Sequence, residues 1–335
     1  WIVFDELKRG GTTKSILFQI ALVLAVFVCV VLHELGHALT AKRFGIQTIK
    51  ITLLPIGGMA SLDSIPESPK QEFLITIAGP LVNIIIALFL YFIVPVQEFI
   101  NLNFGEVIYT LNKFTLQNFL FSLFIVNVGL VIFNSIPAFP MDGGRILRAI
   151  LAMKMDRVKA TQIASSIGQF IAVVFLLIGL IENPFLIVIA LFIFLGAYGE
   201  NQMVHQLALL KGHTVEEAMM INITTFKPED SIDLVVNKII SGTESNFVVV
   251  KEHQVKGLLY HQDIIDNSNK NVLVQDIMNV NFKTINPSDE LKKAFSLIYS
   301  EKKSFFPVVE KTKLLGAIDA VNLNEYILLQ TKLVG

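Results

Sequence analysis

At 335 residues the chain is long enough for two domains, yet 53% of it is hydrophobic and only 16% is charged, with a mean hydropathy of +0.63. Soluble domains carry about 25% charged residues, so this balance excludes an ordinary soluble protein and points to a membrane. A net charge of −1 offers no basic field to nucleic acid, and the single cysteine, Cys29, allows no internal disulfide and reads as a buried thiol.

The chain opens on apolar Trp1-Ile2-Val3-Phe4, which runs at once into Asp5-Glu6-Leu7-Lys8-Arg9. This reads as the remnant of a helix that starts before this sequence; it has neither the basic leader nor the full apolar core of a signal peptide. Five charge-poor stretches follow, at 15–41, 73–96, 114–141, 160–181 and, marginal in length, 183–199. A hydrocarbon core of about 30 Å needs roughly 20 helical residues, which predicts five spans. Lys42, Arg43, Lys70 and the cluster Arg145, Arg148, Lys154, Arg157 and Lys159 flank them on one side, whereas residues 97–112 contain no Lys or Arg. The positive-inside rule then puts that side, and the C-terminal region with it, in the cytoplasm, although Lys8, Arg9 and Lys14 dissent.

In the first stretch the only charged side chain is Glu34, within His33-Glu34-Leu35-Gly36-His37. A carboxylate at mid-bilayer costs about 2.5–3.5 kcal/mol or more, so it needs a purpose. On a helix, positions 33 and 37 lie one turn apart on one face, where two imidazoles reach one ion. Glu34 is rotated by about 100° and falls beside that ion, placed to take a proton from water. The competing reading is a chance match whose polar groups pair with neighbouring helices.

A zinc site needs a third protein ligand and an open position. His205, His213, His253 and His261 follow the last stretch, which leaves Asp142, in Asn134-Ser135-Ile136-Pro137-Ala138-Phe139-Pro140-Met141-Asp142-Gly143-Gly144-Arg145. The prolines end a helix and the glycines let the chain turn tightly around the carboxylate. Alternatively, Asp142 caps a new helix beginning at Gly143. Between the first two stretches, Ile49, Ile51 and Leu53 alternate with Lys50 and Thr52, a period of two. With Pro55 and Gly57-Gly58 as a turn and Met59-Ala60-Ser61-Leu62 as a return, residues 46–62 predict a membrane-associated β-hairpin. Its open edge would pair with an extended substrate; an interfacial loop is the alternative.

From about Gly212 charge density rises and an internal repeat appears. Val215-Glu216-Glu217-Ala218-Met219 matches Val274-Gln275-Asp276-Ile277-Met278, and Phe247-Val248-Val249-Val250 matches Phe306-Pro307-Val308-Val309, at a constant offset of 59 residues. Each copy reads as a helix flanked by short buried strands, an α/β unit that packs on its twin.

The HELGH helix, the distant Asn-x-x-Pro-x-x-Pro-x-Asp-Gly-Gly segment, Pro55-Ile56-Gly57-Gly58-Met59-Ala60 and Gly79-Pro80-Leu81-Val82-Asn83 together resemble the site-2 protease family of intramembrane zinc metalloproteases, over about 16–205. The repeat resembles a tandem pair of cystathionine-β-synthase (CBS) domains, a pairing found in a bacterial and archaeal branch of that family. The resemblance implies a polytopic α-helical membrane protein: five spans plus the remnant of a sixth and a β-hairpin, at 1–206, followed by a soluble α/β tandem CBS domain at 212–332, with copies at about 212–268 and 271–332. It implies one Zn2+ per chain held by His33, His37 and Asp142, and Glu34 as the base. Asn83 and Asn134 would steady the oxyanion or the substrate backbone; interhelical hydrogen bonding is their equal alternative. In that family the first helix helps form the substrate gate. The substrate class is the single-pass transmembrane protein, cut within its helix inside the lipid bilayer of a bacterial or archaeal cell (inner) membrane, with the CBS pair in the cytoplasm.

CBS pairs commonly bind ATP or AMP, but the usual Ser/Thr-x-x-Asp becomes Tyr260-His261-Gln262-Asp263 in copy one and Asp319-Ala320-Val321-Asn322 in copy two, so only Asp263 keeps its type. A nucleotide sensor and a homodimerisation scaffold that binds nothing both stand. Two further classes stand beside the protease: an inactive relative that binds membrane proteins, expected to lack Glu34 or a ligand, and a CBS-regulated transporter. The latter predicts charges at several membrane depths, whereas the sequence concentrates them at Glu34 and Asp142.

Overall fold

The computed structural model describes residues 12–46, 48–54, 57–62, 66, 68–100, 114–268, 272–300 and 305–334. They belong to two compact units, Trp1–Val204 and His205–Gly335. The leading segment at 1–9 and the turn at Pro55 lie outside the described residues.

In chain order the first part contains α1 (Thr13–Arg43), the strands β1 (Thr48–Leu54) and β2 (Gly57–Leu62), α2 (Pro69–Ile93) and the short α3 (Val96–Ile100). There follow α4 (Leu116–Asn134), α5 (Asp142–Ala152), α6 (Arg157–Ile181) and α7 (Phe185–Leu209). Among the described residues, α1, α2, α4, α6 and α7 are the five helices long and apolar enough to cross a bilayer. Phe92 and Ile181 are 78% and 82% exposed on them, a surface suited to lipid rather than water. Thr12 accepts the Ser15 amide to start α1, and Gly45, at φ +79°, ends it in the left-handed region that favours glycine. Thr115 and Asp156 cap α4 and α6 in the same way as Thr12.

The charge-free stretch at 114–141 overruns its helix. α4 ends at Asn134, and residues 135–141 form a chain of turns carrying Pro137 and Pro140 before α5 begins. The prolines supply the break, as expected; neutral composition alone does not distinguish helix from re-entrant turn. β1 and β2 pair antiparallel, Leu54 opposite Gly57 and Thr48 opposite Leu62, with a register shift between Thr48 and Lys50, and both strands lie against α1. α2 packs on α1, α4 and α5 and is the centre of this unit. On α6, Ala160, Ala164, Gly168 and Ala172 form a buried stripe of small residues that lets the backbone approach Ala138 and Ala197. Such stripes replace the hydrophobic effect as the packing device between helices in lipid.

The second unit holds β3 (Thr225–Phe226), α8 (Ile232–Ser241), β4 (Phe247–Lys251), β5 (Gln254–Leu259), α9 (His261–Ile265) and α10 (Val274–Ile277). α11 (Leu291–Ser300), β6 (Phe305–Glu310), β7 (Lys313–Asp319) and α12 (Ala320–Val334) complete it. β3 runs parallel to β4 and β4 antiparallel to β5; in the second copy Ile285 bridges Val308 in parallel and β6 pairs antiparallel with β7. Both hairpins carry a register shift at equivalent places, Val249/Val250 and Val308/Val309.

The two copies exchange their edges. Thr214 bridges Glu290 while Leu273 bridges Ser231, and Met220 bridges Ala317 while Asn279 bridges Leu258. Each pair maps onto its counterpart under the 59-residue offset, so the opening segment of each copy is stitched into the other. At the first of these segments Glu217 closes the turn begun at Thr214. The hydrogen bond from His213 (2.6 Å) and the Thr214 amide (2.9 Å) draw its carboxyl down to about 2.

Candidate metal centre

α1 carries His33 and His37 on the face turned to α2, and Gly36 lies between them. A Cβ on Gly36 would meet Ala78 O of α2 at 2.8 Å, so glycine sets how closely the two helices approach. That approach brings both imidazoles onto α2. His37 Nδ1 lies 2.8 Å from Ile75 O, and His33 Nδ1 hydrogen-bonds Asn83 Oδ1. Gly79 sits beneath them: a Cβ there would overlap the His37 ring and come within 2.7 Å of His33 Nε2.

Asp142 opens α5, with Met141 as its N-cap residue, so the carboxylate also faces a helix N-terminus. The glycines after it serve space rather than an unusual turn. Both are helical, and a Cβ on Gly143 or Gly144 would strike the backbone of Ile136 or of Ala138 and Phe139. The first turn of α5 can thus lie directly on the re-entrant chain and present Asp142 inward.

His33 Nε2 lies 3.1 Å and His37 Nε2 3.3 Å from Asp142 Oδ2, and the two Nε2 atoms are 3.1 Å apart. His33 and Asp142 are buried and His37 is half-buried, and among the described residues Asp142 Oδ2 has no hydrogen bond. Because both Nδ1 atoms face carbonyl-type oxygens, they carry the ring protons in the neutral imidazoles, leaving both Nε2 lone pairs aimed at the carboxylate. Three acceptors converging without a donor repel one another; a cation resolves the conflict. Zinc bound tetrahedrally at about 2.0–2.2 Å holds its ligands roughly 3.3 Å apart, the spacing found here. The residues fit the metal.

The remaining expected residues fall as follows. Glu34 is buried on α1, the residue after His33, and so a third of a turn from it. Asn83, fully buried on α2, donates from Nδ2 to Asn127 Oδ1 at 2.8 Å while its Oδ1 faces His33. Asn134 is half-buried at the end of α4, and Asp263 is half-buried in α9.

A second, partly buried polar assembly joins residues far apart in the sequence. Arg148 on α5, 3% exposed, donates from Nε to Glu72 of α2 at 2.8 Å and pairs with Glu200 of α7. It also lies 5.0 Å over the Phe139 ring. Arg157 at the start of α6 reaches Glu72 at 3.1 Å and Pro66 O at 2.6 Å. Buried charge is therefore not confined to Glu34 and Asp142. These ion pairs tie α5 to α2, α6 and α7.

Residues 21–179 match Peptidase family M50, and residues 274–329 match the CBS domain. Zinc metalloprotease MJ0392 of Methanocaldococcus jannaschii is 35% identical over 308 residues, 92% of this chain and 85% of that protein. The chain belongs to the site-2 protease family. A solved site-2 protease from Methanocaldococcus jannaschii aligns with 42% identity over 60% of this chain and 84% of that one, at a TM-score of 0.44. By its family membership the chain is a zinc metalloendopeptidase, with a membrane-embedded helical part and a CBS-type α/β region.

One consequence of the geometry concerns Gly79 of the site-2 protease. Gly79→Ala should lower zinc affinity by at least about tenfold, because the added methyl occupies the space of the His37 ring and tilts a ligand. A chelator-competition titration reads it; unchanged affinity would show that the imidazoles do not rest where they are placed here.

Proposed function

We propose that this chain is an intramembrane endopeptidase that hydrolyses a peptide bond within the transmembrane helix of a single-pass protein. The observation that carries the reading is the convergence of His33 Nε2, His37 Nε2 and an unsatisfied Asp142 Oδ2 at zinc spacing inside an apolar bundle. One zinc ion per chain at these three ligands would supply Lewis acidity and a water whose pKa is lowered to about 7. Glu34 takes the proton from the attacking water and returns it to the departing amide nitrogen. Asn134, at the entry to the turns that lead to Asp142, is the residue left to steady the substrate backbone, since both ends of the Asn83 amide are engaged.

A substrate helix must unwind before its carbonyl is exposed. The β1–β2 hairpin against α1 offers a sheet edge on which the extended segment recovers its backbone hydrogen bonds. Protein reconstituted into vesicles with a single-pass substrate and zinc should cut it within the apolar segment. Intact substrate at every lipid composition tried, with the protein zinc-loaded, would remove this reading.

The CBS pair is assigned to the cytoplasmic side, on the charge asymmetry of the loops, and to control by adenine nucleotides, with Asp263 as the ribose ligand. Arg148 does not count toward that asymmetry because it is buried. ATP or AMP added to the full-length protein should raise the melting temperature of the second unit; no shift with either nucleotide would leave a scaffold for pairing two chains.

A further inference from the structure

Asn127 belongs to none of the motifs above and has no place in the hydrolysis just described. It is fully buried in the middle of α4. Its Nδ2 donates to Leu123 O at 2.8 Å, one turn back, and lies 3.4 Å from Cys29 Sγ. Its Oδ1 accepts from Asn83 Nδ2 at 2.8 Å, and Asn83 Oδ1 in turn faces His33 Nδ1.

Each link of this chain has a direction fixed by the one before it. A backbone carbonyl only accepts, so Leu123 O compels Asn127 to turn its amide nitrogen that way and its oxygen toward α2. That oxygen only accepts, so Asn83 must present its nitrogen to Asn127 and its oxygen to His33. An oxygen at His33 Nδ1 requires the hydrogen to sit on Nδ1. The lone pair is then on Nε2, the atom that points at His37 and Asp142. Without Asn127 the Asn83 amide is free to rotate by half a turn. Its nitrogen would then face Nδ1, the ring hydrogen would move to Nε2, and His33 would aim a donor at the ion it is meant to hold.

We infer that Asn127 is a positioning residue for the metal centre: through Asn83 it fixes the tautomer in which His33 can ligate a divalent cation. The inference deepens the zinc reading above and rests on it. Its direct observable, the position of one ring hydrogen, is independent of whether zinc binds or a substrate is cut. The relay crosses from α4 through α2 to α1, so the two ends of the control lie on helices far apart in sequence.

The test is 15N NMR of histidine-labelled, zinc-free full-length protein at a pH where imidazole is neutral, with His33 identified by its loss in His33→Gln. Wild type should show His33 protonated at Nδ1. Asn127→Leu should shift His33 toward the Nε2-protonated form and weaken zinc binding by about 10–100-fold in a chelator competition. Asn127→Asp should restore both readouts toward wild type, because a carboxyl group still accepts from Asn83. A residue that merely packs α4 against α2 would lower thermal stability in both variants and leave tautomer and zinc affinity unchanged; that outcome overturns the inference. So does a wild-type spectrum with His33 protonated at Nε2, which decides the matter even should Asn127→Leu fail to accumulate. His33 protonated at Nδ1 in a protein that takes up no zinc would instead overturn the metal reading and leave the relay standing.

Discussion

Glu34→Gln is expected to retain one zinc per chain and a wild-type melting temperature while cleavage falls by about 10²–10⁴-fold or more. The change is isosteric at a buried position of α1, one residue on from His33. What it removes is the capacity to accept a proton from water and deliver it to the leaving nitrogen. The amide accepts hydrogen bonds but not protons at physiological pH. Metal analysis, a thermal melt and substrate cleavage measured on the same preparation separate the outcomes. Normal cleavage would transfer the base to another group. Loss of zinc along with activity would mean that Glu34 supports the site rather than the chemistry.

Asp142→Ala should abolish stoichiometric zinc binding. Two imidazoles one turn apart give a divalent cation only half of a tetrahedral shell, and losing a ligand should cost more than the 10–100-fold typical of a residue that merely orients one. The zinc-dependent rise in melting temperature should vanish with it, since stabilisation by a ligand follows its affinity. Asp142→Asn keeps the volume and a neutral oxygen donor, so weak residual binding is expected there. One zinc per chain in Asp142→Ala would remove this carboxylate from the site. Such a result would also leave unexplained why a carboxylate oxygen is buried 3.1 Å and 3.3 Å from two ring nitrogens with no hydrogen bond of its own among the described residues.

Much of this is legible in the sequence, because the relevant signals are local. His33 and His37 declare their common face by spacing alone. The spans show as absences of charge, and a break rich in proline and glycine marks where Asp142 enters. The 59-residue offset is likewise a property of the string.

The unreadable parts are relations between distant segments. Glu72 and Glu200 adjoin the uncharged stretches at 73–96 and 183–199, so delimiting those stretches by charge set aside the two carboxylates that Arg148 requires. Arg148 itself read as a topology signal, since nothing near it in sequence announces partners 76 and 52 residues away. Asn127 was hidden for the opposite reason: it is a neutral residue in an apolar run, and only the facing side chain of Asn83 gives it meaning. The glycines at 143 and 144 stand out in the sequence, but the reason for them, contact with the turn at 136–139, is a property of packing.

The crossed bridges of the C-terminal unit carry an implication for the ancestry and handling of this protein. Thr214 with Glu290 and Leu273 with Ser231 are two instances of one joint, each made with the opposite copy. Such a joint is equally well formed between two separate polypeptides, so the duplicated sequence has the architecture of a fused homodimer. Neither half is an autonomous piece. Excising one would strip the other of the backbone partners that seal its rim, whereas a nick in the linker would leave both fragments interlocked.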